Sequence, residues 1–368
     1  MNATDLAFMD AALALGRRGW GQVWPNPAVG CVLVRNGRVV GRGWTQTGGR
    51  PHAETEALHR AGALAAGATA YVTLEPCSHH GRTPPCADAL VAAGVARIVA
   101  AIADPDPRVS GQGVARLRDA GLKVVLGVRE AEARADHAGF MMRITAGRPL
   151  VTLKLASTLD GRIATTAGES RWITGSVARA HVHRLRAEHD AVMVGIGTVL
   201  ADDPDLTCRL PGLADRSPVR VVVDSHLRLP PRARVLAGPV PTWVACTAMS
   251  AAGAAATFLA ARGVEVIPVA SGDDGRPRPA ALLAALGARG LTRLLVEGGG
   301  QLAAALLRQG LVDRLVWFQA PKIIGGDGVP AVAPFGLDRL ADCPVFRRTQ
   351  TMTVGEDLMT LHERMATQ

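Results

Sequence analysis

Apolar and polar residues alternate along the chain with two periods, one typical of strands and one typical of helices. Helical spacing of apolar residues covers 5–18, and two strand-like segments then flank Asn36-Gly37, a dipeptide typical of tight hairpin turns. Strand-like segments at 68–76 and 97–103 are separated by a helical segment that begins at Cys86. This order predicts a mixed α/β fold in which helices cover a sheet.

The same alternation starts again in the second part of the chain, after Gly147. The segment 150–158 is apolar enough to predict a buried strand, and 176–189 has a helical period. Further strand-like segments, with helical ones between several of them, continue to the C-terminal region. A chain of 368 residues is longer than one average domain. We therefore expect two domains, over residues 1–146 and 147–368.

Composition narrows the possible partners. The formal net charge is +9, which favours an anionic partner such as a phosphorylated small molecule. The basic residues are spread along the chain, without the long polybasic run that would favour nucleic acid. We see neither a secretory signal nor an apolar stretch long enough to span a membrane, so we expect a cytoplasmic protein with no membrane partner. Among six cysteines, only Cys77 and Cys86 form a close pair, which does not suggest a disulfide framework.

That cysteine pair belongs to a possible metal site. The stretch "EPCSHHGRTPPC" at 75–86 follows "HAE", which contains His52 and Glu54. Three protein ligands on zinc leave a fourth position for water, which is the catalytic arrangement. We therefore predict His52, Cys77 and Cys86 as zinc ligands and Glu54 as the proton carrier, the pattern of zinc nucleobase deaminases.

Two alternatives are open from the residues alone. Cys77, His79, His80 and Cys86 could form a closed structural site, although Cys77 and His79 are closer in sequence than paired zinc-finger ligands usually are. The chain could also be a zinc-binding module without enzymatic activity, in which case Glu54 would be dispensable.

A second motif indicates a site for a phosphorylated cofactor. The stretch "LLVEGGGQLAAALL" at 294–307 combines a predicted strand, three glycines and a predicted helix. Glycines let the backbone approach a phosphate, and the N–H groups of a helix N-terminus bind it. The motif is not a G-x-G-x-x-G match, and a simple tight turn between strand and helix explains it equally well.

The first part of the chain resembles the deaminase half of the bifunctional riboflavin-biosynthesis deaminase–reductase family. The resemblance lies in "NPAVGCV", "HAETEAL" and "VTLEPCSHHGRTPPCADAL". It implies a cytidine-deaminase-like three-layer αβα domain that acts on a pyrimidine ribosylamine 5′-phosphate. It also implies that Asn26 contacts the pyrimidine or ribose. We expect His79 and Arg82 to contact the substrate phosphate, since arginine can bind two phosphate oxygens, and His80 to be a solvated loop residue.

The second part resembles the reductase half of the same family, in "KLASTLDGRIA", "GESRWITG" and "GTVLADDPDLTCR". This resemblance implies a dihydrofolate-reductase-like α/β domain that uses NADPH. The implied NADPH contacts are Ala156, Trp172, Thr198, Asp202, Gly299, Gly300, Gln301, Leu302, Ala303, Ala304 and Ala305. The implied substrate contacts are Ser170, Arg186, Leu206, Arg209 and Glu297, with Arg186 and Arg209 suited to phosphate.

The implied chemistry is deamination of 2,5-diamino-6-ribosylamino-4(3H)-pyrimidinone 5′-phosphate, followed by hydride transfer from NADPH to the ribosyl C1′. Lys154 and Asp202 are both candidates for the proton donor of the reduction. A nucleic-acid deaminase with an unrelated second domain is the other function considered, and the long loop between Cys77 and Cys86 argues against it. We expect a homo-oligomer that binds no nucleic acid.

Overall fold

The computed structural model describes residues 3–80, 84–107, 110–334 and 336–365. The chain divides into two compact units, Met1–Gly147 and Arg148–Gln368. Each unit has its own sheet and its own buried core. None of the described helices is long and apolar enough to cross a membrane.

The first unit alternates helices and strands around one sheet. Its described elements are α1 (Ala3–Gly16), β1 (Gly30–Arg35), β2 (Arg38–Trp44), α2 (Ala53–Ala61), β3 (Thr69–Val72), α3 (Cys86–Ala92), β4 (Arg97–Ala100), α4 (Gln112–Asp119), β5 (Lys123–Leu126) and α5 (Glu130–Ala146).

The described strands of this unit form one sheet in the order β2-β1-β3-β4-β5. The hairpin β1–β2 and the pair β1–β3 are antiparallel, whereas β3, β4 and β5 run parallel. The predicted turn joins the hairpin, with Asn36 and Gly37 both at positive φ. The carboxyl ends of β3 and β4 therefore meet at one edge of the sheet, where parallel sheets usually bind ligands.

The second unit is larger. Its described elements are β6 (Leu150–Thr158), β7 (Arg162–Ala164), α6 (Ser176–Ala187), β8 (Ala191–Gly195), α7 (Ile196–Asp202), β9 (Val219–Val223), β10 (Thr242–Thr247), α8 (Ala248–Ala251), α9 (Ala254–Ala260), β11 (Glu265–Val269), α10 (Pro279–Ala288), β12 (Arg293–Val296), α11 (Gly300–Arg308), β13 (Arg314–Ala320), β14 (Val329–Pro330), β15 (Phe346–Val354) and β16 (Asp357–Arg364).

Its main sheet has the described strand order β11-β10-β9-β8-β12-β6-β13-β16-β15. The first seven strands of this order, from β11 through β13, run parallel to one another. Strands β16 and β15 add two antiparallel strands at one end. A separate antiparallel pair joins β7 and β14. Strands that are distant in sequence, such as β8 and β12, thus become neighbours, and their carboxyl ends share one edge.

Three elements differ from the sequence expectation. Helix α5 was not expected, because it buries small or polar residues such as Ala133, His137 and Gly139 rather than a stripe of large apolar ones. The edge strand β15 was not expected either, since most of its residues are exposed. The segment 159–175 contains the short strand β7, although its polar, glycine-containing sequence is typical of a loop.

A buried polar cluster ties α6 to the middle of the large sheet. His189 lies 2.7 Å from the Leu185 carbonyl through Nδ1 and 3.0 Å from the Thr152 hydroxyl through Nε2. Neutral imidazole with a proton on Nδ1 satisfies both contacts. Burial, together with the charge of Arg293, lowers the pKa of His189 to about 3.

This burial predicts a pH dependence of stability. In the unfolded chain the pKa of His189 is near 6.5, so the imidazole is protonated below that pH. In the folded protein it stays neutral down to about pH 3. Stability contributed by His189 is therefore complete above pH 6.5 and is lost as the pH falls below it, by about 1.4 kcal/mol per pH unit. Between pH 7 and pH 5, we expect a His189→Gln variant to lose about 2 kcal/mol less unfolding free energy than the wild type.

Urea unfolding, monitored by hydrogen exchange of peptides from the second unit, measures the loss of unfolding free energy between pH 7 and pH 5 in each protein. An equal loss in the two proteins would contradict the prediction.

Candidate active sites

Three side chains of types that bind metal ions meet at the carboxyl edge of the first sheet. His52 precedes α2, Cys77 follows β3, and Cys86 begins α3. His52 Nδ1 lies 3.7 Å from Cys77 Sγ and 3.4 Å from Cys86 Sγ. All three ligand atoms lie within 4.8 Å of one another. The structure thus brings together the three residues predicted as zinc ligands.

Close packing of α2 on the hairpin fixes the position of His52. A side chain at Gly43, on β2, would collide with the carbonyl of Ala53, the first residue of α2. The backbone N–H of Cys86 donates to Cys77 Sγ at 3.3 Å, which joins the start of α3 to the turn after β3. Backbone contacts therefore preorganise the site.

The electrostatics of this cluster suit a cation. The hydrogen bond from Cys86 lowers the pKa of the Cys77 thiol to about 4 and raises that of Cys86, so one thiolate forms readily. Burial, and then the negative charge of Cys77, raises the pKa of Glu54 to about 7. Only 4% of Glu54 is exposed, so this carboxyl can hold a proton beside the cluster.

The donor set fits a zinc ion. One imidazole and two thiolates are ligands that zinc prefers, and three protein ligands correspond to a catalytic rather than a closed site. Among the described residues, His79 and His80 are not part of the metal-binding cluster, and His80 is exposed. The geometry therefore does not support the closed site formed within 77–86.

Glu75 holds the turn that carries Cys77, and the sequence did not point to it. Its buried carboxylate accepts hydrogen bonds from the backbone N–H groups of Asp104, Gly111 and Val114, at 3.0–3.1 Å. The N–H of Glu75 itself donates to the Ile102 carbonyl, as a continuation of the sheet. A glutamate directly after an apolar strand and before Pro-Cys was the available signal.

The expected substrate contacts of this unit are placed only in part. Asn26 is half-buried, and its side chain packs so closely on Gly49 that a Cβ there would collide with it. His79 is half-buried and its Nδ1 has no hydrogen-bond partner within the described residues. Arg82 lies outside the described residues.

In the second unit, a cavity of about 1870 Å³ opens at the carboxyl ends of β6, β8, β9 and β12. It gathers most of the residues expected to contact NADPH or substrate. Those on its wall are Lys154, Ala156, Ser170, Trp172, Arg186, Thr198, Asp202, Leu206, Arg209, Glu297, Gly299, Gly300, Gln301, Leu302 and Ala305.

Two residues of the expected cofactor segment lie elsewhere. Ala303 and Ala304 are almost fully buried on the core-facing side of α11 and do not line the cavity. The helix turns their side chains away from the face that Gln301 and Leu302 present. Before the helix, Gly298 and Gly299 have φ values of 133° and 86°, which favour glycine and let the backbone form the tight entry to α11.

A buried ion pair forms the floor of the cavity. Arg186 donates to both carboxylate oxygens of Glu297, from Nε at 2.5 Å and from Nη2 at 2.8 Å. Its Nη1 donates to the Thr207 carbonyl at 2.9 Å. Burial alone would raise the pKa of Glu297, but Arg186 and then Lys154 bring it below the usual value. The guanidinium group of Arg186, which was expected to bind phosphate, therefore binds the Glu297 carboxylate.

Lys154 completes this group of charges. It lies on the cavity wall, and burial lowers its pKa, with Glu297 opposing and Arg186 adding to the shift. Asp202, the other candidate proton donor, is exposed at the end of α7 and accepts from Arg171 through its backbone carbonyl. Of the two candidate donors, Lys154 is therefore the one that interacts with the buried pair of Arg186 and Glu297.

Several basic residues on the cavity wall were not anticipated. They come from separate loops and from the helices α6 and α11, with no distinctive spacing along the chain, so only the fold brings them together. They are Arg171, Arg179, His183, His226, Arg228, Arg234, Arg276, Arg278 and Arg308.

Comparisons with known proteins agree over nearly the whole chain. The sequence profile described as the RibD C-terminal domain matches residues 149–360. A second profile, the cytidine and deoxycytidylate deaminase zinc-binding region, matches residues 2–102. The riboflavin biosynthesis protein RibD of Escherichia coli is 44% identical over 365 residues, covering 96% of this chain and 98% of that protein. RibD of Aquifex aeolicus is 41% identical and covers 98% of both.

Solved structures give the same result. Acinetobacter baumannii RibD superposes with a TM-score of 0.89 at 38% identity, over 99% of each chain. A Thermotoga maritima protein superposes with a TM-score of 0.87 at 35% identity, over 98% of this chain and 99% of that one. It is described as a diaminohydroxyphosphoribosylaminopyrimidine deaminase/5-amino-6-(5-phosphoribosylamino)uracil reductase.

The contacts of Glu75 generate a prediction. A Glu75→Gln variant keeps one acceptor oxygen but places an NH₂ group against backbone N–H donors. We expect the unfolding free energy of the first unit to fall by about 2–4 kcal/mol, since buried donors lose their acceptors. Urea unfolding followed by hydrogen exchange of first-unit peptides measures the change. The exposed Glu132→Gln is the control, and an equally small effect of both variants would refute the role of Glu75.

Proposed function

Because the chain belongs to the RibD family, and is thus a zinc- and NADPH-dependent deaminase–reductase of riboflavin biosynthesis, we propose that its two reactions occur at the two sites described above. The deaminase is assigned to residues 1–146 and the reductase to 147–368. Family membership confirms the predicted α/β fold class and the predicted pair of activities. This pair of activities replaces the two alternatives, a non-enzymatic zinc module and a nucleic-acid deaminase.

One observation carries the proposal for the first unit: His52, Cys77 and Cys86 converge beside a buried glutamate that can hold a proton. The three residues would hold zinc. When bound, zinc supplies a water activated for attack near neutral pH. Glu54 accepts a proton at its carboxylate and delivers it to the leaving amine of the pyrimidine ring. Burial raises the pKa of this carboxyl group, which favours its holding the proton between the two transfers.

The substrate proposed for this site is 2,5-diamino-6-ribosylamino-4(3H)-pyrimidinone 5′-phosphate. The side-chain amide of Asn26 packs against Gly49, which precedes His52 by three residues, and is proposed to contact the pyrimidine or ribose. His79 Nδ1 has no hydrogen-bond partner within the described residues, and it can bind a phosphate or hydroxyl oxygen. Arg82 is proposed from its sequence position alone.

In the second unit, the cavity is proposed to hold both NADPH and 5-amino-6-(5-phosphoribosylamino)uracil. When bound, NADPH supplies a hydride to the ribosyl C1′. Helix α11 begins directly after Gly298 and Gly299, and the N–H groups at its start suit the cofactor's phosphates. Arg209, also on the cavity wall, suits the substrate phosphate.

Glu297 and Lys154 are proposed to act on the substrate. Arg186 orients the Glu297 carboxylate, which can accept hydrogen bonds from N–H or O–H groups of the substrate. Lys154 Nζ is proposed to give a proton to the nitrogen bonded to C1′, because its lowered pKa favours proton loss. Asp202, which is exposed at the end of α7, is the less suitable donor.

We also propose that the chain forms a homo-oligomer and that it is cytoplasmic. A homo-oligomer is supported by the exposed edge strand β15, which is free to pair or pack along its length within the described residues. A cytoplasmic location is supported by the six free cysteines.

A direct test uses the substrate itself. The protein is incubated with the diaminopyrimidine ribosylamine phosphate, with and without NADPH, and the products are identified by mass spectrometry. We expect the deaminated ribosylamine without NADPH and the deaminated ribitylamine with it. Unchanged substrate in both reactions would refute the proposal.

The role of Glu54 can be tested separately. Glu54→Gln keeps the shape of the side chain but cannot carry a proton, so we expect deamination to fall by about 10²–10⁴-fold. Zinc content, measured by mass spectrometry of the metal, should stay near that of the wild type. NADPH oxidation with predeaminated substrate should also be unchanged, which serves as the control for folding. A variant that binds zinc and deaminates normally would exclude Glu54 as the proton carrier.

A further inference from the structure

One face of α6 lines the reductase cavity. Arg179, Val182, His183 and Arg186 lie on it, at the spacing of successive helical turns. Arg186 holds Glu297, but the motifs and the mechanism leave His183 without a function. Its position beside the proposed substrate contacts distinguishes it from His181 on the same helix, which is not on the cavity wall.

The segment 205–209 lies next to α6 and carries Leu206 and Arg209. Leu206 is buried, with 2% exposed, and has a φ of 59°. This left-handed conformation is strained for leucine and persists only where the surroundings hold it. The contacts that hold this segment therefore determine the position of two proposed substrate-binding residues.

Two side chains of α6 bind the backbone of this segment. Arg186 Nη1 donates to the Thr207 carbonyl at 2.9 Å. His183 Nδ1 lies 3.1 Å from the same carbonyl and 3.2 Å from the backbone N of Arg209. Because the Thr207 carbonyl already accepts from Arg186, the tautomer protonated at Nε2 leaves Nδ1 to accept from the Arg209 N–H, which ties the segment to the helix.

The geometry points to His183 as a positioning residue of the reductase: through Nδ1 it holds Leu206 and Arg209 where they contact the substrate. This inference rests on the proposed function of the cavity. The imidazole acts as a hydrogen-bonding group rather than as a cation, because burial and the charges of Arg186 and Arg209 lower its pKa.

Two variants at this position separate positioning from a general structural effect. His183→Leu removes Nδ1 at similar volume, and we expect KM for the phosphoribosylaminouracil to rise about tenfold, the effect of one lost hydrogen bond. The kcat should change less than about threefold and the Kd of NADPH should not change, because the contact is made with the substrate side alone. In His183→Asn the amide oxygen replaces Nδ1 as an acceptor, so KM should return to within about threefold of the wild type.

His181→Leu on the same helix is the matched control and should leave KM unchanged. An unchanged KM in His183→Leu, or equal losses in KM, kcat and NADPH affinity in the leucine and asparagine variants, would overturn the inference.

Hydrogen exchange of the Arg209 amide gives a readout that needs neither activity nor the leucine variant. We expect protection in the wild type and in His183→Asn, and rapid exchange in the wild type would overturn the inference even if His183→Leu did not fold. Failure of the proposed function looks different, since the wild type would then not oxidise NADPH with the deaminated substrate.

Discussion

The ion pair between Arg186 and Glu297 is the constraint around which the second unit's cavity is organised. Removing both charges from water is costly, and the two direct hydrogen bonds offset that cost only if the geometry is held. The pair thereby joins α6 to the end of β12, next to the glycines that open α11. The third contact of Arg186, with Thr207, extends the same constraint to the segment that carries Leu206 and Arg209. One arginine thus relates the proposed cofactor and substrate sides of the cavity.

The first unit uses a buried carboxylate in a comparable way. Glu75 accepts three backbone N–H groups and fixes the connection after β4 against the turn that carries Cys77. Glu54, the proposed proton carrier, is equally buried, and burial raises the pKa of its carboxyl group. Two glutamates in one unit therefore have different roles, which are set by what surrounds each carboxyl group rather than by residue type. Both sites lie at the carboxyl ends of parallel strands, where side chains from several elements converge.

Much of the fold could be predicted from the chain itself. The hairpin at Asn36-Gly37, the buried strand at 150–158 and the restart of the alternation near Gly147 all follow from local patterns. Helix α5 and strand β15 could not be predicted in this way. The first packs small residues against the core, and the second is an exposed edge, so neither has the periodic burial on which pattern reading depends.

The sequence by itself indicated the chemistry proposed for the first site, because His52, Glu54, Cys77 and Cys86 have residue types and an order that few other functions require. Tertiary structure alone decided the partners in the second. Arg186 and Glu297 are 111 residues apart, and they meet only because β8 and β12 are neighbours in the sheet. It also decided that Ala303 and Ala304 face the core, and that His183 rather than His181 reaches the segment at Arg209. Such choices depend on strand order and helix rotation, which local spacing does not encode.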